Sequence, residues 1–485
     1  MLNKVIFPEP FMTAIDDLGW INGGSLAETG GPWRIGFKRK METSDYHPFS
    51  EIGKKLGIRF QALFVLAEMD RLNILKNYPT STQAGSNWDN SENISPEQIK
   101  IMNYVRDNSA NIEFGLHGIG HEHWEKGKRT RAEWYDMEND KPWAESDLHE
   151  HVKGYKEILA QYGLTEANGH SFPESFVPCG WALYWNPSGE YSTTGVLKQY
   201  GVKFANTWFE KVEELNPPIE FGGGIDHGVL VLNRYNYGND WYMVGKLPEK
   251  SLADFRTNVI ETHWSNWLAT DQFLQEELNL KWIKFFKEIQ KSNTHYYTKN
   301  TEQFYSQWLY KKYAKVIKRK TGEIIIDNRN MPDEVYDNSL LSLLALKIKL
   351  DKNQHVSSAK IDGKNIPSYY EDAGYGFLYI PKLEKKKYSV TVNVGKKVPT
   401  DIIINNGTFN VYSSNTNVKN ILEFELRMYG TQKVEIKTKE PKKIISVNKN
   451  IKIKKREYDS KSNSLFLTLS ANDIQGETGA IKIYR

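Results

Sequence analysis

Three imidazoles crowd one short stretch, Ile112 to Trp124, which reads Ile-Glu-Phe-Gly-Leu-His-Gly-Ile-Gly-His-Glu-His-Trp. His117 and His121 stand four residues apart, with Gly118 and Gly120 between them, after an apolar run suited to a buried strand. Glycines let the backbone curl and aim both rings at one point, as two ligands of one metal ion must. An ordinary surface loop could carry the same histidines, so the pattern needs a third ligand from elsewhere. Asp16-Asp17, which follows the apolar run Phe11 to Ile15, offers it. Asp17, His117 and His121 would hold a catalytic divalent metal with positions left open for water and substrate. Asp16 is then free to take a proton from the water as general base. The stretch Asn258-Val-Ile-Glu-Thr-His263-Trp264 adds a histidine that, with an acid beside it, can hold a proton for a leaving group.

The elements that must bring these groups together are legible as alternation. Up to about Gly322, short β-branched or aromatic runs alternate with longer amphipathic segments, the pattern of parallel strands joined by helices. Strands are expected at Met12 to Ile15, Arg59 to Leu66, Ile112 to Leu116, Ser175 to Val177, Val202 to Thr207, Val229 to Asn233 and Asn258 to Thr262. Helices are expected at Phe49 to Leu56, Pro96 to Asn108, Glu145 to Tyr162 and Thr194 to Tyr200. Asp271 to Gln290 and Asn300 to Lys318 should be helices closing the outside, with Phe273, Leu274, Leu278, Trp282 and Phe285 as packing positions. The fold class is α/β, a closed or nearly closed β/α barrel. In such barrels functional groups collect where strands end and loops converge. Asp16, Asp17, His117, His121, Pro178 and His263 all sit at or just past a strand end, so one face of one barrel could hold them.

Beyond Gly322 the alternation becomes period two, as in Leu346-Lys-Ile-Lys-Leu350 and Leu465-Phe-Leu-Thr-Leu469, with turn signals at Asp362-Gly363 and Asn406-Gly407. This is antiparallel β-sandwich material, all-β. Three units are expected: a catalytic barrel over 1–325, then sandwich-like regions over 326–398 and 399–485, the last two separable or joined. The lysine runs at Lys385 to Lys387 and Lys449 to Lys455 suit solvated edge strands.

Composition narrows the function classes. The 485 residues exceed one ordinary core, and 39% hydrophobic with 26% charged residues describes a globular protein. A net charge of +4, without an arginine-rich helix or phosphate loop, argues against nucleic acid as a partner. Gly222-Gly-Gly224-Ile-Asp226-His227 opens no nucleotide fingerprint, although Asp226 or His227 could approach a cleft. The single cysteine, Cys179, makes no internal disulfide. The first residues lack the apolar core of a secretory signal and no run is long enough to span a bilayer, so a cytoplasmic protein without a membrane span is expected, or an extracytoplasmic one if its start was trimmed. The 27 tyrosines and 14 tryptophans suit carbohydrate surfaces as well as cores.

The order of motifs resembles that of the NodB-like polysaccharide deacetylases, carbohydrate esterase family four in the broad sense. Thr13-Ala-Ile-Asp16-Asp17-Leu-Gly19 is similar to the family's Thr-Phe-Asp-Asp-Gly, His117-Gly-Ile-Gly-His121 to its His-Ser/Thr-x-x-His, Phe176-Val-Pro178-Cys-Gly180-Trp181 to its Arg-Pro-Pro-Tyr-Gly loop, and Glu261-Thr-His263 to its Leu-x-His. The resemblance covers about the first 320 residues. It implies a deformed β/α barrel that hydrolyses N- or O-acetyl groups on a poly- or oligosaccharide with a bound metal, zinc first and nickel, cobalt or manganese as alternatives. It makes Asp16 the base, Asp17, His117 and His121 the ligands and His263 the acid. A backbone N–H near Cys179 or Gly180 would steady the oxyanion, and Trp124, Trp181 and Trp264 would meet the sugar. His123, extra to the pattern, is expected behind the ligands or against substrate. Of the loop aromatics Trp124, Trp181, Tyr184, Trp185, Trp208, Trp264 and Trp267, two or three should line the cleft. Two departures stand out: Val177 occupies the place of the family's base-orienting arginine, and Leu18 is inserted before Gly19. Two other readings compete. One is a glycoside hydrolase or lyase, with Glu68 and Glu261 as facing carboxylates. The other is a barrel that binds sugar but has lost turnover.

Overall fold

In a computed structural model, residues 4–212, 222–319, 323–415 and 420–485 are described. Seven strands, β1 (Glu9–Leu18), β2 (Phe60–Val65), β3 (Ile112–Gly118), β4 (Ser175–Phe176), β5 (Phe204–Thr207), β6 (Val229–Asn236) and β7 (Val259–His263), pair in parallel in chain order. β7 then pairs back onto β1, from Val259 opposite Met12 to His263 opposite Asp16, and the barrel closes. β2 and β3 are buried along their whole length, because helices cover the outside while side chains fill the inside. Alternate residues part accordingly. Phe60, Ala62, Phe64, Phe114 and Ile260 pack outward under the helices, whereas Met12, Ala14, Leu63, Leu230 and Val259 belong to a different core with Phe304 and Tyr305.

The helices outside are α1 (His47–Leu56), α2 (Pro96–Asp107), α3 (Glu145–Ala160), α4 (Thr193–Lys198) and α5 (Gln275–Lys291), followed by α6 (Thr301–Tyr313). α2 starts where the sequence places it: Ser95 accepts the Glu97 N–H, Gln98 reaches back to the Ser95 N–H, and Pro96 fills the first turn. α6 plugs the amino-terminal end of the barrel, with the Tyr305 hydroxyl donating to the Ala205 carbonyl at 2.8 Å and its ring stacked on Phe204. Two expectations fail here. α6 ends at Tyr313, and Lys315–Lys318 is a strand rather than its last turn. Phe273 is 95% exposed and Leu274 also faces solvent, because α5 begins only at Gln275; the expected Leu278 and Trp282 are buried on it, together with Ile283 and Phe286, and Phe285 is half-buried against the same core.

The carboxyl-terminal region is built of sheets. An eight-stranded sheet runs through all of it, ordered Val5–Ile6, Leu343–Lys349, Tyr375–Pro381, Ser368–Asp372, Ile402–Ile404, Thr431–Lys437, Ser464–Ala471 and Ile451–Asp459. A five-stranded sheet covers one half, with Ile326, Val390 and Val392 against Leu346 and Leu378, and a four-stranded sheet covers the other, with Phe424, Leu426 and Ile481 against Val434 and Leu467. The expected change of composition at Gly322 lies outside the described residues. The expected boundary near Pro399 is bridged by parallel pairing of Ser368 and Tyr369 with Ile403 and Ile404, so the two halves share one sheet. Lys387 begins a central strand of the five-stranded sheet, not an edge; the run from Lys449 does enter an edge strand, Ile451–Asp459. Among the described residues no helix is long and apolar enough to cross a membrane.

This region docks on the barrel through charge. Arg427 lies 2.8 Å from Glu174 and 3.4 Å from Glu302, and Gln475 donates to the Phe114 carbonyl. Burial pushes the Glu174 carboxyl up, but Arg427 and Lys203 outweigh it and hold it down to about 2. A depressed folded-state value adds stability above the ordinary carboxylate pKa, which is lost as pH falls through the folded value. The side chain is 20% exposed, and the contribution is about 2–3 kcal/mol. Urea midpoints of the native chain should therefore fall between pH 5 and pH 2 more steeply than those of Glu174→Gln.

Candidate active site

The two adjacent acids reach the same side of β1 because the strand bulges. Ile15 lies opposite Ala62, yet Leu18 lies opposite Phe64, so β1 carries one more residue than β2 over this stretch. Asp17 takes the left-handed conformation, φ 69°, and turns back toward the barrel mouth that Asp16 already faces. Strict alternation would have sent it outward. Leu18, extra in the sequence motif, is thus accounted for by the bulge. His121 and Trp181 share the left-handed conformation, at φ 67° and 65°. Such backbone persists where surrounding contacts over-determine it.

Those contacts are visible around the histidine loop. Glu133 accepts from the backbone N–H groups of Ile119 and His121 and sits 2.9 Å from His151 Nδ1. Gly118 and Gly120 matter through close approach: a Cβ at the first would overlap the Glu133 carboxylate and at the second the Ser81 carbonyl. His117 Nδ1 lies 2.7 Å from the Val177 carbonyl, which can only accept, so Nδ1 carries the proton and Nε2 keeps its lone pair. His121 Nδ1 lies 2.7 Å from Glu122 Oε1, in the carboxylate–histidine arrangement common behind metal ligands. The two free Nε2 atoms face Asp17 Oδ1 at 3.4 and 3.6 Å.

That oxygen is buried and accepts no hydrogen bond. Burial pushes the Asp17 carboxyl up, but the neighbouring imidazoles of His117, His121 and His263 outweigh it and hold it far below the usual range. A buried carboxylate oxygen with the Nε2 atoms of two imidazoles 3.4 and 3.6 Å from it is a donor set that fits a divalent cation. Cys179 Sγ also lies within 4.8 Å of ligand atoms of both histidines. Burial and the nearby carboxylates keep it a neutral thiol that donates to the His117 carbonyl, so Asp17 is the better third ligand.

Beside this set Asp16 is held by an arginine that the sequence reading missed. Arg234, at the end of β6, donates from both terminal nitrogens to Asp16 at 2.9 and 2.6 Å, with both side chains almost wholly buried. Burial raises the Asp16 pKa, but Arg234, His117 and His263 more than reverse it. Glu261 lies 3.3 Å from Arg234 Nε and accepts from Trp181 Nε1; burial pushes its carboxyl up. His263 Nδ1 is 3.0 Å from the Asn239 carbonyl, which leaves Nε2 as its free nitrogen, 3.9 Å from Glu261.

These groups open on a cavity of about 230 Å³ at the carboxyl ends of the strands, lined by Asp16, Asp17, His117, His121, Gly180, Trp181, Arg234 and His263. Trp33, Arg34, Arg131, Asp240, Trp241 and Tyr242, none singled out from the sequence, form the rest of its wall. Arg131 is wedged between the Trp33 and Trp181 rings at 5.3 and 5.2 Å. Several expected residues lie elsewhere. Trp264 is fully buried outside the barrel wall, its indole N–H on the Asp45 carbonyl. Trp124 is buried at the floor of a separate pocket. His123 stacks on Trp143, apart from His117 and His121, its pKa pushed down to about 3 by burial and by His151. The Cys179 side chain is buried behind the wall, and Tyr184, Trp185, Trp208 and Trp267 do not line the cavity. Asp226 is bound to Thr194 and His227 to the Asn186 carbonyl, off the cleft. Glu68 is tied to Arg34 and to the Ile21 and Asn22 N–H groups, so it does not face Glu261 across the cavity. No protein-family model, curated protein or solved structure matches the chain.

Proposed function

We propose that the barrel is a metal-dependent hydrolase that removes N- or O-acetyl groups from a carbohydrate, a divergent relative of the NodB-like polysaccharide deacetylases with a deformed β/α barrel. The observation that carries this reading is the meeting of Asp17 Oδ1, a buried acceptor without a donor, with the two free Nε2 atoms of His117 and His121. Zinc is the first candidate for that set, with nickel, cobalt or manganese as alternatives. When bound, the cation supplies a Lewis acid for the acyl carbonyl and acidifies nearby water.

The chain's own groups supply the rest. Asp16 accepts a proton from the attacking water while Arg234 holds its carboxylate in one orientation, the part Val177 cannot play. A new C–O bond forms at the acyl carbon, and the bond to the sugar's nitrogen or oxygen breaks. His263 delivers a proton from Nε2, which lies 3.9 Å from Glu261, to that departing atom. Trp33, Trp181, Trp241 and Tyr242 offer flat faces to the pyranose.

The test is product analysis. Zinc-loaded protein should release acetate from N-acetylglucosamine oligomers or acetylated xylan without creating reducing ends. Reducing ends without acetate would mark a glycoside hydrolase, and binding with neither product a lapsed barrel; either result overturns the proposal.

A further inference from the structure

Three guanidinium groups line the catalytic cavity, and two of them are already paired. Arg234 is held by Asp16 at 2.9 and 2.6 Å, and Arg34 lies 2.6 Å from Glu68. The third, Arg131, has no carboxylate within 4.0 Å and donates no hydrogen bond among the described residues. Glu122 attracts it from farther away, but that side chain is wholly buried and its Oε1 serves the Trp33 N–H and His121. Arg131 follows directly on a two-stranded ribbon, His123–Glu125 with Lys128–Thr130, whose pairing of His123 with Thr130 sets where it enters the cavity wall. A Cβ on Gly180 would meet the Arg131 carbonyl at 3.4 Å, so the residue also sits beside the turn that carries Gly180 and Trp181. Its guanidinium carbon lies 5.3 Å from the Trp33 ring centre and 5.2 Å from that of Trp181. A guanidinium stacked on aromatic faces keeps its N–H edge for a planar acceptor.

We infer that Arg131 selects a sugar that carries an anionic substituent, a carboxylate or a phosphate, close to the acyl group that is cleaved; the inference rests on the deacetylase reading. A substrate that fills the cavity expels the water around this half-buried cation, and a cation losing its water needs a counter-charge. The protein brings none. Asp16 is taken by Arg234, Asp17 faces the two histidines, and Asp240 accepts from Asn236 and Tyr242. A sugar hydroxyl could accept one of the N–H groups but would leave the charge unopposed. An oxyacid group matches both the fork and the charge. Arg129 adds to the positive potential from behind Trp33, its own donors held by the Ala27 and Gly31 carbonyls. The cavity therefore discriminates between acylated sugars by charge.

The experiment compares the metal-loaded native chain with Arg131→Gln and Arg131→Lys on two matched pairs of probes. One pair is acetylated polygalacturonate and its methyl ester, which keeps the acetyl groups and removes the charge; the other is N-acetylglucosamine 6-phosphate and N-acetylglucosamine. Acetate release and calorimetric binding are both measured, and circular dichroism confirms that each variant is folded. The native chain should favour the charged member of at least one pair by about ten- to a hundredfold in kcat/KM, mainly through KM. The pair that shows it tells a carboxylate from a phosphate. The preference should shrink as salt is raised, disappear in Arg131→Gln and persist in part in Arg131→Lys, which keeps the charge without the fork. Equal use of charged and neutral members by the native chain, or a native preference retained in Arg131→Gln, overturns the inference while deacetylation stands. A loss of kcat in Arg131→Gln that is the same for charged and neutral members would place Arg131 on the acyl oxygen and also overturns it. If no acetate is released yet the charged member binds more tightly and Arg131→Gln abolishes the difference, the charge selection stands and the proposed reaction fails. Native protein that neither binds nor deacetylates any of the four probes overturns both.

Discussion

Replacing Arg234 by alanine is expected to cost about 3–5 kcal/mol of stability and to remove most of the turnover. Asp16 and Arg234 are both within 2% of complete burial, and their two parallel hydrogen bonds are the only ones that reach the Asp16 carboxylate among the described residues. Removing the guanidinium leaves that carboxylate, and Glu261 beside it, buried without the cation that offsets their burial. Breaking one side of a buried pair is far more costly than never having had it. Turnover falls because the base is no longer held or charged in the geometry that proton transfer needs, an effect of about 10²- to 10⁴-fold. Arg234→Lys keeps the charge but not the fork, and should recover more stability than activity. Urea midpoints and kcat of the three chains check this; an Arg234→Ala chain with native kcat would show that Asp16 needs no orienting partner.

Asp17→Asn is expected to lower metal affinity by more than about 100-fold, the loss that already attends removal of a supporting outer group. Asparagine tolerates the left-handed backbone that Asp17 adopts at φ 69°, so this substitution removes the charge without disturbing the bulge. Stability in the absence of metal should fall, because the carboxylate that the neighbouring imidazoles hold well below its usual pKa, and that therefore adds stability above it, is lost. Activity at low metal should vanish and recover in part at high metal. Equal metal content in native and Asp17→Asn protein, measured by elemental analysis after dialysis, would remove Asp17 from the ligand set.

The positions of Asp16, Asp17, His117, His121 and His263 were legible because each follows an apolar run, and parallel strands deliver their last residues to one end of a barrel. Arg234 was legible in principle. It lies in phase with Leu230 and Leu232, the inward side of β6, and a cation on that side must be paired. The expected strand stopped at Asn233, one residue short of it. The aromatic wall was harder, since Trp33, Trp241 and Tyr242 come from irregular loops without periodicity. Trp264 misled because nearness to a histidine along the chain says nothing of direction: one step past His263 the side chain turns outward to pack on Tyr46. The bulge at Asp17 left a trace, the inserted Leu18, but its consequence depends on pairing with β2. The long shared sheet left none, because the pairing of Ser368 with Ile403 is a matter of register between distant segments.

The most direct measurement is anomalous X-ray scattering at the zinc edge from crystals of the zinc-loaded chain. One peak should lie about 2.0–2.2 Å from His117 Nε2, His121 Nε2 and Asp17 Oδ1 together. A peak elsewhere in the barrel, or none at that position at saturating zinc, would contradict the metal centre on which the proposed reaction is built.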